Sequence, residues 1–65
     1  MTPRDRLKSA GLRVTPQRLC VYKALAGRRD HPTVAEVMAT VNRAMPTVSV
    51  DTVYRTLETL CEAGL

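Results

Sequence analysis

The side chains best suited to chemistry lie near the end of the chain, where Thr52, Arg55, Thr56 and Thr59 recur at helical spacing. In a helix this spacing places them on one face. Arginine can pair with guanine and a threonine hydroxyl can donate or accept, so this face suits contact with base edges and phosphates. The alternative is an ordinary solvated surface, because an exposed threonine needs no partner.

The helix that would carry this face has clear start and stop signals. Ser49 is a suitable N-cap, Asp51 adds negative charge to the first turn, and Gly64 can end the helix in a left-handed conformation. We expect the other face to pack on a core. Its apolar stripe consists of Val50, Val53, Leu57, Leu60 and Cys61.

Three further helices are predicted before this one. The first follows the N-cap Thr2, runs from Pro3 to about Ala10 and is ended by Gly11. The second follows the N-cap Thr15 and runs from Pro16 to about Ala26. The second has an apolar side made of Leu19, Tyr22, Leu25 and Ala26. The third follows a capping box, and its core stripe contains Val34, Val37, Met38, Val41 and Met45. The third and fourth helices, joined by a short turn, describe a helix-turn-helix in which the last helix reads DNA.

Charge is distributed unevenly along the 65 residues. Eight basic residues and one acid precede Asp30, a net charge of +7, whereas two basic and five acidic residues from Asp30 onward give −3. A basic half of this kind favours contact with phosphates, although basic residues could instead serve solubility alone. The length predicts one small domain with an aliphatic core of marginal size.

Several classes of protein are excluded by the composition. The apolar runs are too short to span a membrane and the N-terminus lacks a secretory apolar core, so we expect a cytoplasmic protein. Cys20 and Cys61 have no C-x-x-C spacing, which predicts a buried reduced thiol for each. We find no paired carboxylates, glycine-rich phosphate loop or nucleophile beside a base, so we do not expect an enzyme.

Polar residues of the first connection offer further contacts. Arg13 lies at the tip of a tight loop, from which it could reach a minor groove or a phosphate. Gln17 and Arg18 follow the Thr15 cap, where donors beside free backbone N–H groups favour an anion. His31, as the single histidine, is either a polar loop residue or one ligand of a shared metal site.

Four blocks of the sequence resemble the ferric uptake regulator (Fur) family: 11–18 (GLRVTPQR), 31–33 (HPT), 49–57 (SVDTVYRTL) and 62–65 (EAGL). The resemblance implies that residues 1–65 are the all-α, four-helix part of a winged-helix DNA-binding domain. Wing strands and a C-terminal dimerisation domain would lie beyond the chain end. It also implies a metal-dependent transcriptional repressor that binds operator double-stranded DNA as a homodimer and does not associate with a membrane.

The same resemblance suggests roles for individual residues. Tyr54 and Arg55 would enter the major groove and Arg13 would approach the minor groove. Contacts to the DNA backbone would come from Thr15, Gln17, Arg18, Ser49 and Thr52. His31 would be a metal ligand whose partners lie in later sequence. The full-length protein would bind Fe, Mn or Zn, and we expect no stable metal binding by this fragment.

One position departs from the family pattern, because Asp51 stands where a small residue is common. Its carboxylate could stabilise the helix start, accept from a cytosine amino group or repel phosphate. Two other functions stay open at this point. The chain could be a winged-helix module for protein association, or a winged-helix repressor that senses no metal.

Overall fold

The computed structural model describes residues 2–26 and 32–65. These two ranges contain four α-helices and no strand, which confirms the predicted all-α fold. The helices are α1 (Pro3–Ser9), α2 (Pro16–Ala26), α3 (Val34–Ala44) and α4 (Val50–Glu62). No helix in the described part of the chain combines the length and apolar character needed to cross a membrane.

Two of the helices begin with a capping box. In α1 the Thr2 hydroxyl accepts from the Asp5 N–H at 3.1 Å, and the Asp5 carboxylate accepts from the Thr2 N–H at 3.1 Å. Thr33 and Glu36 repeat this arrangement in α3, at 3.2 and 3.4 Å. Hydrogen bonds from the backbone N–H and then the side chain of Thr2 lower the pKa of Asp5 below its ordinary value. In both boxes the acidic side chain has a structural task.

The other two helices begin with a single capping hydroxyl. The Thr15 hydroxyl accepts from the Arg18 N–H at 3.1 Å at the start of α2. At the start of α4 the Ser49 hydroxyl accepts from the Thr52 N–H at 3.2 Å. Each bond satisfies one backbone donor that has no partner within the helix. The predicted caps of all four helices are therefore confirmed.

Gly11 and Gly64 end α1 and α4 as the sequence predicts. Their φ angles are +80° and +81°, a conformation that only glycine adopts without strain. In both turns the N–H of the following leucine donates to the carbonyl five residues earlier, at 3.0 Å. This pattern is the Schellman motif, which satisfies carbonyls at a helix end.

The core is built around α2, which packs against α1, α3 and α4, while α3 also packs against α4. Its buried apolar side chains are Leu7, Val21, Ala24, Val37, Val41, Val53 and Leu60. All are aliphatic, as expected of a chain without Trp or Phe. The predicted stripe of α3 is confirmed at its centre, since Val37 and Val41 are buried and Met38 and Met45 pack against the core.

The predicted apolar side of α2 is partly confirmed, because Leu19, Tyr22 and Leu25 pack against the core, but it omits the two most buried residues of the helix. Val21 and Ala24 are the buried residues, whereas Leu19, Tyr22 and Leu25 are half-buried. Ala26, which was also assigned to this side, is exposed. Three neighbouring helices surround α2, so its contacts do not form the single stripe that a two-layer packing produces.

Candidate nucleic-acid interface

Helix α4 buries a narrower face than its sequence predicts. Val53 and Leu60 are fully buried, and Thr56 between them is 8% exposed. Val50 is 51% exposed and Cys61 is also exposed, so both were wrongly assigned to the core stripe. The spacing of apolar residues does not determine which neighbouring positions are buried along with Val53 and Leu60. Because α4 packs against α2 and α3, the neighbouring position that is buried is Thr56.

Neither cysteine is fully buried, which corrects the prediction for both. Cys20 is half-buried and Cys61 is exposed, and both are free thiols. Cys61 is rotated by about 100° from Leu60 around the axis of α4, and this rotation brings its side chain to the exposed edge of the helix.

The polar side of α4 faces the start of α2 across an open cleft of about 370 Å³. We call this space the cleft. One wall comes from the α1–α2 loop and the first turn of α2, and the other comes from α4. The lining residues are Arg13, Thr15, Gln17, Arg18, Thr52, Arg55, Thr56 and Thr59. Six of the eight predicted DNA-binding residues thus meet at one place, although they lie far apart in the sequence.

A hydrogen bond holds the loop wall of the cleft in position. The Arg18 guanidinium donates through Nη1 to the Arg13 carbonyl oxygen at 3.0 Å. Arg18 is half-buried, while the Arg13 side chain is exposed. The bond fixes the backbone at Arg13 and leaves the Arg13 guanidinium, with its five N–H donors, open to solvent. This bond could not be predicted from the sequence, because it joins a side chain to a loop carbonyl.

Two threonine hydroxyls on the α4 wall already donate to the backbone of their own helix. Thr56 donates to the Thr52 carbonyl oxygen at 2.8 Å, and Thr59 donates to the Arg55 carbonyl oxygen at 3.0 Å. Each hydroxyl has one proton, so toward the cleft these residues offer acceptor lone pairs and methyl groups. The hydrogen-bond donors of the cleft therefore come mainly from its arginines.

Two predicted residues lie outside the cleft lining. Tyr54 is 52% exposed and precedes Arg55 on the solvent side of α4. Ser49 is exposed at the helix start, with its hydroxyl 2.9 Å from that of Thr52. Both side chains are accessible to solvent.

The charge of the cleft has one sign. Arg13, Arg18 and Arg55 line it, and none of the lining residues is acidic. An open space with positive walls attracts polyanions. The exposed acids Glu58 and Glu62 lie further along α4, toward its C-terminus.

A family model describing the ferric uptake regulator family matches residues 9–65. This match includes α2, α3, α4 and the loop wall of the cleft. The chain belongs to the ferric uptake regulator family.

Curated relatives point to the same family. The chain is 36% identical over 61 residues to the peroxide operon regulator of Bacillus subtilis, covering 94% of this chain and 42% of that protein. It is 34% identical over 59 residues to the peroxide-responsive repressors PerR of Staphylococcus epidermidis and Staphylococcus aureus. These alignments cover 91% of this chain and 39% and 40% of the two repressors. The chain thus spans less than half the length of these relatives, whose names are those of regulators rather than enzymes.

The metal ligand suggested by the resemblance to the ferric uptake regulator family, His31, lies outside the described residues. Within 2–26 and 32–65, no three His, Cys, Asp or Glu side chains come close enough to hold a metal ion. The described side chains therefore form no metal site by themselves.

Proposed function

We propose that this chain is the operator-binding part of a sequence-specific transcriptional repressor. The observation that carries the proposal is the cleft, in which Arg13 and Arg18 of one wall face Arg55 of the other. Family membership supports the same function, since the relatives named above are repressors and regulators of operons.

In the proposed complex, α4 enters the major groove by its N-terminal half. Glu58 and Glu62 would repel phosphates, so the C-terminal half of the exposed side turns away from the DNA backbone. Tyr54 and Arg55 then meet base edges, with Tyr54 contacting thymine methyl groups and Arg55 reaching guanine or a phosphate.

The loop wall of the cleft contacts the DNA backbone in this proposal. Arg13 reaches the adjacent minor groove or its phosphates from the loop that Arg18 holds. Backbone contacts from Thr15, Gln17, Arg18, Ser49 and Thr52 would fix the register of α4 without reading sequence.

The larger protein would act in the cytoplasm as a homodimer, because the resemblance assigns dimerisation to sequence after residue 65. We also propose that it depends on a divalent metal, Fe, Mn or Zn, with His31 as one ligand. These parts of the proposal rest on family membership alone.

Fluorescence anisotropy with labelled duplex DNA of mixed sequence, measured over a range of salt concentrations, tests the DNA contacts. The logarithm of the association constant should fall with the logarithm of salt by about 0.9 per phosphate neutralised. Arg13→Ala should make this slope shallower by about 1. Lys23→Ala is the matched control, because Lys23 is exposed and basic but lines no part of the cleft.

The Arg55→Ala variant tests the other wall of the cleft. If Arg55 pairs with guanine, the variant loses about 1–3 kcal/mol of binding free energy on the preferred sequence and discriminates less at that position. Equal affinities for all three variants and the parent protein would contradict the proposal. Salt-insensitive binding to a protein partner, with no DNA binding, would favour the protein-association module instead.

A further inference from the structure

Besides Arg55, which lines the cleft, the first turns of α4 expose three residues that the core does not use. We call these residues the outer face: Val50, Asp51 and Tyr54. Val50 and Tyr54 are 51% and 52% exposed, and Asp51 is exposed beside them. Asp51 precedes the fully buried Leu60 by nine residues, about two and a half helical turns. It therefore projects almost directly away from the core.

The Asp51 carboxylate has no partner among the described residues. Ser49 caps α4 through its own hydroxyl, and position N3, where α1 and α3 carry the acid of a capping box, is Thr52. The one structural effect left for Asp51 is the attraction of its charge to the positive end of the helix. An acid at N3 would provide that attraction and close a box as well.

At a base edge, an ionised carboxylate can only accept hydrogen bonds. In the major groove, guanine presents two acceptors and thymine presents an acceptor and a methyl group, so neither offers Asp51 a donor. Adenine also offers an amino group, but its N7 acceptor lies beside that group and would face the second carboxylate oxygen, which is an acceptor as well. Cytosine presents its amino group without a neighbouring acceptor. Cytosine is thus the base that best satisfies a carboxylate.

We propose that Asp51 is a specificity-determining residue that selects cytosine at one position of the operator and rejects guanine and thymine there. This inference rests on the proposed function, because it requires the N-terminal half of α4 to lie in the major groove. Val50 and Tyr54 beside it would contact thymine methyl groups at neighbouring positions.

Selection from a randomised double-stranded DNA library, followed by sequencing of the bound fraction, tests the inference with three proteins. The parent protein should enrich cytosine at one position. Asp51→Asn should instead enrich adenine over cytosine at that position by about tenfold, because asparagine pairs with the N6 and N7 atoms of adenine. Asp51→Ala should retain binding and show no preference at that position.

Glu62→Gln is the matched control, since it removes one negative charge from an exposed position three turns further along α4. It should leave every base preference unchanged. Far-UV circular dichroism confirms that each variant keeps its helices.

The outcomes separate the two proposals. If the parent protein and both Asp51 variants select the same bases, Asp51 reads no base and this inference is overturned, while the proposed function stands. If the parent protein binds no DNA, both proposals fail. A preference for adenine in the Asp51→Asn variant supports both.

Discussion

Helices α3 and α4 have similar lengths and similar hydroxyl caps, yet they distribute their side chains differently. Val37, Met38 and Val41 of α3 lie toward the core, and its first-turn acid, Glu36, closes a capping box. In α4 the buried face includes Thr56, while Val50, Tyr54 and Asp51 are exposed. Helix α3 is thus arranged for stability, whereas α4 combines a stabilising face with an accessible surface that folding does not require.

The largest expected effect is a loss of folding stability, which should differ between the two faces of α4. Leu60→Ala removes a fully buried side chain and should lower the free energy of unfolding by about 2–5 kcal/mol. Val50→Ala should change it by less than about 0.5 kcal/mol, because Val50 is half exposed. Urea unfolding followed by circular dichroism measures both. Similar losses in the two variants would show that Val50 packs as a core residue and would remove the contrast with α3.

A smaller effect is expected from removing the hydroxyl caps of α3 and α4, which should differ in their influence on DNA affinity. Thr33→Ala and Ser49→Ala each remove a capping hydroxyl and should each cost about 1 kcal/mol of unfolding free energy. The DNA affinities of the two folded variants should differ, because only Ser49 lies at the end of α4 that faces DNA in the proposed complex. Anisotropy titrations should show weaker binding for Ser49→Ala and unchanged binding for Thr33→Ala. Equal weakening would indicate a general effect of stability.

The smallest effect concerns the capping box of α1, in which an acid has the same structural task as Glu36. The pKa of Asp5 is lower in the folded protein than in the unfolded chain, so its stabilising contribution is fully present above the unfolded value. That contribution is lost as pH falls through the folded value. Acid titration of thermal stability should show a shallower decline for Asp5→Asn than for the parent protein. Parallel curves would show that the box adds nothing measurable.

Local features of the fold could be predicted from the sequence. The caps at Thr2, Thr15, Thr33 and Ser49 and the glycine ends depend on hydrogen bonds between residues three to five positions apart. Such bonds need only the right residue types at fixed spacing. Helix α1 ends at Ser9, one residue before the predicted end, and α2 ends at Ala26 as predicted.

Features that depend on three-dimensional packing could not be predicted in this way. Periodicity identifies an apolar side of α2 and α4, but the neighbouring helices decide which edge of it is buried. Val21 and Thr56 were missed for this reason. Most of the cleft was anticipated, but the bond from Arg18 to the Arg13 carbonyl joins a helix to an irregular loop. No pattern of residue spacing signals a bond of that kind.

The bond between Arg18 and the loop carbonyl also restricts the shape of nucleic acid that fits the proposed interface. It connects the loop to α2, which packs against α4, so the reach of Arg13 is preset relative to the reading helix. A protein whose two DNA contacts are held at a fixed separation is sensitive to the dimensions of the grooves as well as to the bases. The deep, narrow major groove of an RNA duplex does not admit a helix. We therefore expect the protein to distinguish B-form DNA from double-stranded RNA by geometry alone.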